Sequence, residues 1–202
     1  QTDDIKEFWG KQFDLGLAWV QYPEGAGGLG INPKYQLLVT EKLREEGISQ
    51  QNRVANILGI GMGAPTIIEY GTPEQISKYL RPMFTTDEIW CQMFSEPGSG
   101  SDLASLSTKA VDDGDGYIVN GQKVWTTLGH LAKWGLLVTR TDPDVPKHRG
   151  LTFFIVDMES DGVEVRPLRQ ITGEAEFNEV YFTDVKIPKE NMLGNLGDGW
   201  RV

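Results

Sequence analysis

Apolar residues recur every three or four positions over residues 1–86 and at every second position after Asp87, so the chain changes its period near its middle. The first spacing puts apolar side chains on one stripe of a helix; the second puts them on one face of a strand. In the helical stretch, Asn32-Pro33 offers a cap and a first-turn proline ahead of Leu37, Leu38 and Leu43, and Gly47 can close that helix in a left-handed conformation. Thr72-Pro73-Glu74-Gln75 has the letters of a capping box and predicts a helix through Ile76, Tyr79 and Leu80. Between them, residues 49–70 predict an apolar helix kinked or split by glycines and Pro65. The second stretch predicts strands at 89–94, 108–111, 117–119, 122–127, 134–141, 151–158, 163–169 and 178–187. Asn120-Gly121 predicts a hairpin, because both residues tolerate positive φ, and 112–116 and 159–162 predict further turns. The expected fold class is α+β: an all-helical N-terminal domain over 1–87, then a small antiparallel β-barrel or sandwich over 88–191. The tail, 192–202, reads as the place where another element begins.

Composition narrows the functional classes. With 39% hydrophobic residues, six Trp and eight Phe, the chain can fill a core. Nineteen Lys plus Arg against 29 Asp plus Glu give a net charge of −10, which repels nucleic acid and anionic lipid. The apolar run 57–68 is broken by Gly and Pro and falls short of the roughly 20 residues a bilayer requires, so no membrane association is expected. A single cysteine, Cys91, excludes an internal disulfide and fits a reducing, cytoplasmic compartment, and two histidines without other cysteines argue against a metal site.

Several motifs compete for the chemistry. Gly25-Ala26-Gly27-Gly28-Leu29-Gly30 spells G-x-G-x-x-G, with Glu45 about 20 residues on. Its context argues against a dinucleotide fingerprint, since Pro23 precedes it and the helix start signal comes only afterwards, at Asn32-Pro33. Gly59-x-Gly61-x-x-Ala64 reads as a kink or close-packing sequence. Cys91, beside Trp90, reads as a small buried hydrophobe, and Ser99 and Ser101 lack the elbow of a serine hydrolase. The turn Ser95-Glu96-Pro97-Gly98-Ser99-Gly100-Ser101-Asp102 could converge main-chain amides and hydroxyls on an anion; a well-made surface turn fits the same letters equally, and Asp102 suits a phosphate only if it is turned to cap. Trp125-Thr126-Thr127 offers a ring and two donors to a planar aromatic cofactor, or a half-buried strand with the tryptophan inward. Lys147-His148-Arg149 is the main local basic cluster, either a solvated loop or an anion clamp.

Taken together, "CQMFSEPGSGSDLASLSTKA", "GYIVNGQKVWTTLGHLAKWGLLVTRTDP", "GLTFFIVDM" and "EVYFTDVKIPKENMLGNLGDGW" resemble the acyl-CoA dehydrogenase family in order and spacing, and "PEGAGGLG" and "YGTPEQISKYL" agree in the helical half. The resemblance implies an N-terminal helical and a middle β domain, with 192–202 opening a truncated C-terminal helical domain. It implies that FAD is held by Gln92, Met93, Phe94, Ser95, Gly100 and Ser101, with Ser95 on the pyrimidine side of the flavin and Ser101 at the pyrophosphate or the pantetheine arm of the substrate. Trp125, Thr126 and Thr127 would cover the flavin edge, with Thr127 near the hydride-accepting nitrogen. His148 and Arg149, with Ser101, would meet acyl-CoA. Members usually carry Tyr where Gln92 stands and Thr where Ser95 stands, and Ser95 keeps the donor. The implied reaction is α,β-dehydrogenation of an acyl-CoA thioester in fatty acid or sterol side-chain β-oxidation, by a homo- or hetero-tetramer that hands electrons to an acceptor such as electron-transfer flavoprotein. No residue up to Val202 matches the family's glutamate base, Glu96 is expected to order its own turn, and the fragment is expected to be inactive alone. A flavin-binding partner subunit without a base, or an acyl-CoA oxidase or flavin monooxygenase on the same fold, are the alternatives.

Overall fold

A computed structural model describes residues 2–202; Gln1, the first residue of the expected helical domain, lies outside them. The chain divides into two compact units, Gln1–Ile89 and Trp90–Val202. The first holds helices α1 (Thr2–Asp14), α2 (Tyr35–Glu45), α3 (Asn52–Ala55), α4 (Ala64–Tyr70) and α5 (Pro73–Thr85), with a π-helical turn at Gly59–Gly63. Its core gathers Phe13, Trp19 and Phe84, whose rings meet at 5.3–6.1 Å.

Local signals set most of these boundaries. Thr72 accepts from the Gln75 amide while the Gln75 side chain accepts from the Thr72 amide, closing the capping box that opens α5. Gly47, at φ +71, closes α2, with the Ile48 amide donating to Leu43 at 2.8 Å. The start of α2 departs from expectation. Asn32 accepts from the Lys34 amide and caps a turn ahead of the helix, which begins at Tyr35 without a side-chain cap. Residues 49–70 are split as expected, but the break falls at the glycine-rich π turn, and Pro65 sits harmlessly in the first turn of α4. The G-x-G-x-x-G letters form tight turns: a Cβ on Gly28 would lie 2.0 Å from the Tyr22 carbonyl oxygen.

The second unit carries one eight-stranded, mostly antiparallel sheet built from β1 (Trp90–Met93), β2 (Lys109–Asp112), β3 (Gly116–Thr127), β4 (Trp134–Arg140), β5 (Leu151–Asp157), β6 (Val163–Leu168), β7 (Phe177–Pro188) and β8 (Met192–Leu193). The fold class is α+β. The strand path β6-β7-β3-β2-β4-β5-β8 is open, with β1 joined in parallel to β4 and a second parallel contact between Lys109 and Arg140. Met93, Leu137, Phe154, Val180, Phe182 and Val185 are central to its core. Cys91 is buried there, and burial pushes its thiol up to about 12, the expected inert hydrophobe.

The hairpin expected at Asn120-Gly121 does not form. β3 runs straight through these residues and pairs with β7 on both sides of a bulge. The Asn120 side chain donates to the Asp184 carboxylate and accepts from the Asp184 amide, both at 2.9 Å, so the turn-forming asparagine is spent across the ladder. Gly121, at φ +155, lets Thr108 approach so closely that a Cβ would lie 2.5 Å from its hydroxyl.

Candidate functional site

The turn after β1 is a finished piece of architecture. Glu96 and Ser99 exchange main-chain hydrogen bonds at 2.8 and 3.0 Å, and the Ser99 hydroxyl donates to the Asp102 carbonyl at 2.7 Å. Ser99 is therefore an internal donor and not a free nucleophile. The Asp102 carboxylate receives the Ser105 hydroxyl and, at 2.7 and 2.8 Å, the Lys147 ammonium. The bonds from Lys147 and Ser105 hold it below the usual carboxylate range. Asp102 is thus paired with Lys147, which brings the basic loop to the turn. His148 and Arg149 remain exposed, with the His148 ring packed edge-on to Trp200 at 4.5 Å.

Beneath the turn lies a buried ion pair that sequence reasoning missed. Lys123, inward-facing on β3, donates to Glu96 at 2.9 Å and to the Phe94 carbonyl at 3.0 Å. Glu96 also receives the Ser107 amide and hydroxyl and the Thr108 amide at 2.6–2.9 Å. Burial alone would raise the Glu96 carboxyl, but the Lys123 charge and these donors outweigh it and lower it to about 2. Burial draws Lys123 down to about 8 against the pull of Glu96. Glu96 orders its own turn, as expected, and a carboxylate held so firmly ionised is a poor base. A lysine between Gln122 and Val124 carries no sign in the sequence that its partner lies 27 residues back.

The turn and the aromatic segment are joined, because the Val124 amide donates to the Ser95 carbonyl at 2.9 Å. The next residue, Trp125, stands out of the sheet 61% exposed at φ +60, not inward. Leu128 has φ +59, so two non-glycine residues in the left-handed region, costing roughly 1–3 kcal/mol each, bracket Thr126 and Thr127. Thr126 is fully buried, and its hydroxyl meets no hydrogen-bond partner among the described residues. An unpaired buried hydroxyl costs on the order of 1–3 kcal/mol. An exposed tryptophan and the half-buried Ser95 and Thr127 fit a flat aromatic ring with polar edges such as a flavin.

The remaining expected residues divide. Gln92 and Phe94 are half-buried, with Phe94 edge-on to Phe153 at 5.7 Å. Gly100 and Ser101 lie exposed on the turn, and a Cβ on Gly100 would meet nothing within 4 Å. Met93 stands apart: its side chain is fully buried and packs against Gly135, where a Cβ would lie 2.2 Å from the methionine methyl.

Residues 1–87 match the family model for the acyl-CoA dehydrogenase N-terminal domain, and residues 91–185 match that for the acyl-CoA dehydrogenase middle domain. The chain belongs to the acyl-CoA dehydrogenase family. It is 47% identical over 190 residues to acyl-CoA dehydrogenase FadE34 of Mycobacterium tuberculosis, covering 94% of this chain and 26% of that protein. Among solved structures it is similar to the ChsE4-ChsE5 complex of Mycobacterium tuberculosis, at 35% identity and a TM-score of 0.77, covering 98% of this chain and 50% of that one. It is also similar to the Tcur3481-Tcur3483 steroid ACAD, at 30% identity and a TM-score of 0.75 with the same coverage. The chain thus spans between a quarter and a half of these family members. Among the described residues no helix is long and apolar enough to cross a membrane, and no cluster of His, Cys, Asp and Glu could hold a metal ion.

Proposed function

We propose that residues 1–202 form the N-terminal and middle part of an FAD-dependent acyl-CoA dehydrogenase that converts an acyl-CoA thioester to the 2-enoyl-CoA. The observation that carries the reading is the outward, 61% exposed Trp125 ring in a strained segment that also presents half-buried Thr127 and is joined to half-buried Ser95. In this reading the Trp125 ring covers one edge of the flavin, Thr127 and Ser95 donate to its heteroatoms while Thr126 supports the segment from its buried side, and the turn Gly100-Ser101 faces the pyrophosphate. Bound FAD supplies the acceptor for the hydride leaving the β carbon. Gln92 and Phe94 close the side of the site next to β1, and Met93 serves it from behind by packing. His148 and Arg149, both exposed, offer donor groups to the phosphates of coenzyme A, while Lys147 is committed to Asp102.

Glu96 does not take the α proton, since four donors already occupy its carboxylate. That task falls to another carboxylate of the full-length protein, and residues 1–202 alone are inactive. The names of the similar structures, a steroid ACAD and a two-part complex, favour a sterol-derived acyl group and a hetero-oligomer; in this reading it is a mixed tetramer that passes electrons to an electron-transfer flavoprotein. Purified full-length protein is expected to be yellow and to bleach on anaerobic addition of a sterol side-chain CoA thioester, and more slowly with octanoyl-CoA. A colourless protein that takes up no FAD overturns the reading. A yellow protein that no acyl-CoA bleaches favours the partner-subunit alternative.

A further inference from the structure

The strain in the Trp125–Leu128 segment must be held by something outside it, and the start of β7 does so. Asn178 is fully buried and pairs directly with Thr126 across the β3–β7 ladder. Its side-chain nitrogen donates to the Thr126 carbonyl at 2.8 Å and to the Glu176 carbonyl at 3.3 Å. Two carbonyl oxygens around one end of a carboxamide identify that end as the NH2 group. The other end is therefore the oxygen, and it faces His130 Nδ1 at 3.2 Å. An oxygen can only accept, so His130 carries a proton on Nδ1 and donates it.

Two neighbours complete the grip. Phe177 sets its ring edge-on to Trp125 at 6.1 Å and 86°, and the Leu128 amide donates to the Glu176 carbonyl at 3.0 Å. The three consecutive residues Glu176, Phe177 and Asn178 thus hold Leu128, Trp125 and Thr126 in turn. Gly129 leaves room for this: a Cβ there would lie 3.3 Å from the Asn178 nitrogen and 3.1 Å from the Thr126 methyl.

We propose that Asn178, oriented by a proton held on His130 Nδ1, is a positioning residue that fixes the backbone of Trp125-Thr126-Thr127 in the strained shape presented to the flavin. Its own atoms are spent on Thr126, Glu176 and His130, so it acts through the segment and not on the ligand. The inference rests on the flavin reading for its consequence, and its physical core, the clamp, is testable without it.

The test uses the full-length protein as purified, in wild type, Asn178→Ala, His130→Ala and His130→Asn. Hydrogen exchange read by mass spectrometry should accelerate over 124–130 in Asn178→Ala while β4 and β5 keep their protection. FAD binding, followed by flavin fluorescence, should weaken roughly tenfold in Asn178→Ala and a few-fold in His130→Ala. His130→Asn, which restores a donor near the Nδ1 position, should return to within about twofold of wild type. Unchanged exchange over 124–130 overturns the clamp, as does FAD affinity equal to wild type in Asn178→Ala. Exchange that accelerates equally throughout the sheet also overturns it, because Asn178 would then be a general stabiliser. If wild type holds no FAD, the flavin reading fails while the exchange arm still decides the clamp.

Discussion

Lys123 and Thr126 lie three residues apart on one strand, both fully buried and both polar, yet their surroundings are opposite. Lys123 and its partner Glu96 are both hydrogen-bonded by protein, Glu96 by four donors; the Thr126 hydroxyl is left with nothing to bond. The difference separates scaffold from site. A filled polar cluster gains little from a further partner and loses much when any member is removed, whereas an unpaired hydroxyl carries a standing cost that its removal relieves. Between them the bulge that opens after Lys123 turns Trp125 outward, so the strand passes from one role to the other within a single register shift.

The contrast can be broken most forcefully at the filled end. Lys123→Met leaves Glu96 buried and unpaired, and is expected to cost about 3–5 kcal/mol of stability in urea titration of the full-length protein. The double change Lys123→Met with Glu96→Leu should recover most of that loss; if the double variant is as unstable as the single one, the pair is not the reason. Acid probes the same cluster. Because the folded-state Glu96 carboxyl sits at about 2, below its ordinary 4.5, the unfolded chain takes up the proton first. The stability from this group is therefore complete above pH 4.5 and lost as pH falls toward 2, on the order of 3 kcal/mol in all. Glu96→Gln should flatten that acid limb, and a limb unchanged in the variant would place the titration elsewhere.

At the unfilled end the effects are smaller and fall on binding. Trp125→Ala should weaken FAD binding roughly tenfold or more while leaving folding stability nearly unchanged, since the ring is mostly exposed. Thr126→Val sharpens the comparison by its sign. Removing an unsatisfied hydroxyl should leave the flavin-free protein as stable as wild type or up to about 1 kcal/mol more stable. Destabilisation of the flavin-free protein would mean that the hydroxyl already has a partner. Thr127→Val should slow flavin reduction by acyl-CoA, an effect on the order of 1 kcal/mol in the barrier; an unchanged rate would remove Thr127 from the reacting edge.

Local chemistry was legible where neighbours in sequence decide it. The Thr72–Gln75 box, the left-handed Gly47 and the change of period near Asp87 each depend on residues within a few positions. Asn120-Gly121 misled because the same letters that favour a hairpin also suit a bulge, and the choice was made by Asp184, 64 residues away. The outward turn of Trp125 was hidden for a like reason, since it depends on a register shift against β7. Lys123 and Asn178 left no trace in the sequence pattern because their partners are distant carbonyls and carboxylates, which neither periodicity nor motif records.

The sheet's open path ends on β6, and a free strand edge is a template on which another chain can lay down a strand. β6 discourages this by its own composition. Pro167 offers no amide hydrogen, and Glu164 and Arg166, paired at 2.8 Å, crowd the short strand with charge. The same unit that holds a strained, ligand-directed segment on β3 therefore guards its β6 border against edge-to-edge pairing.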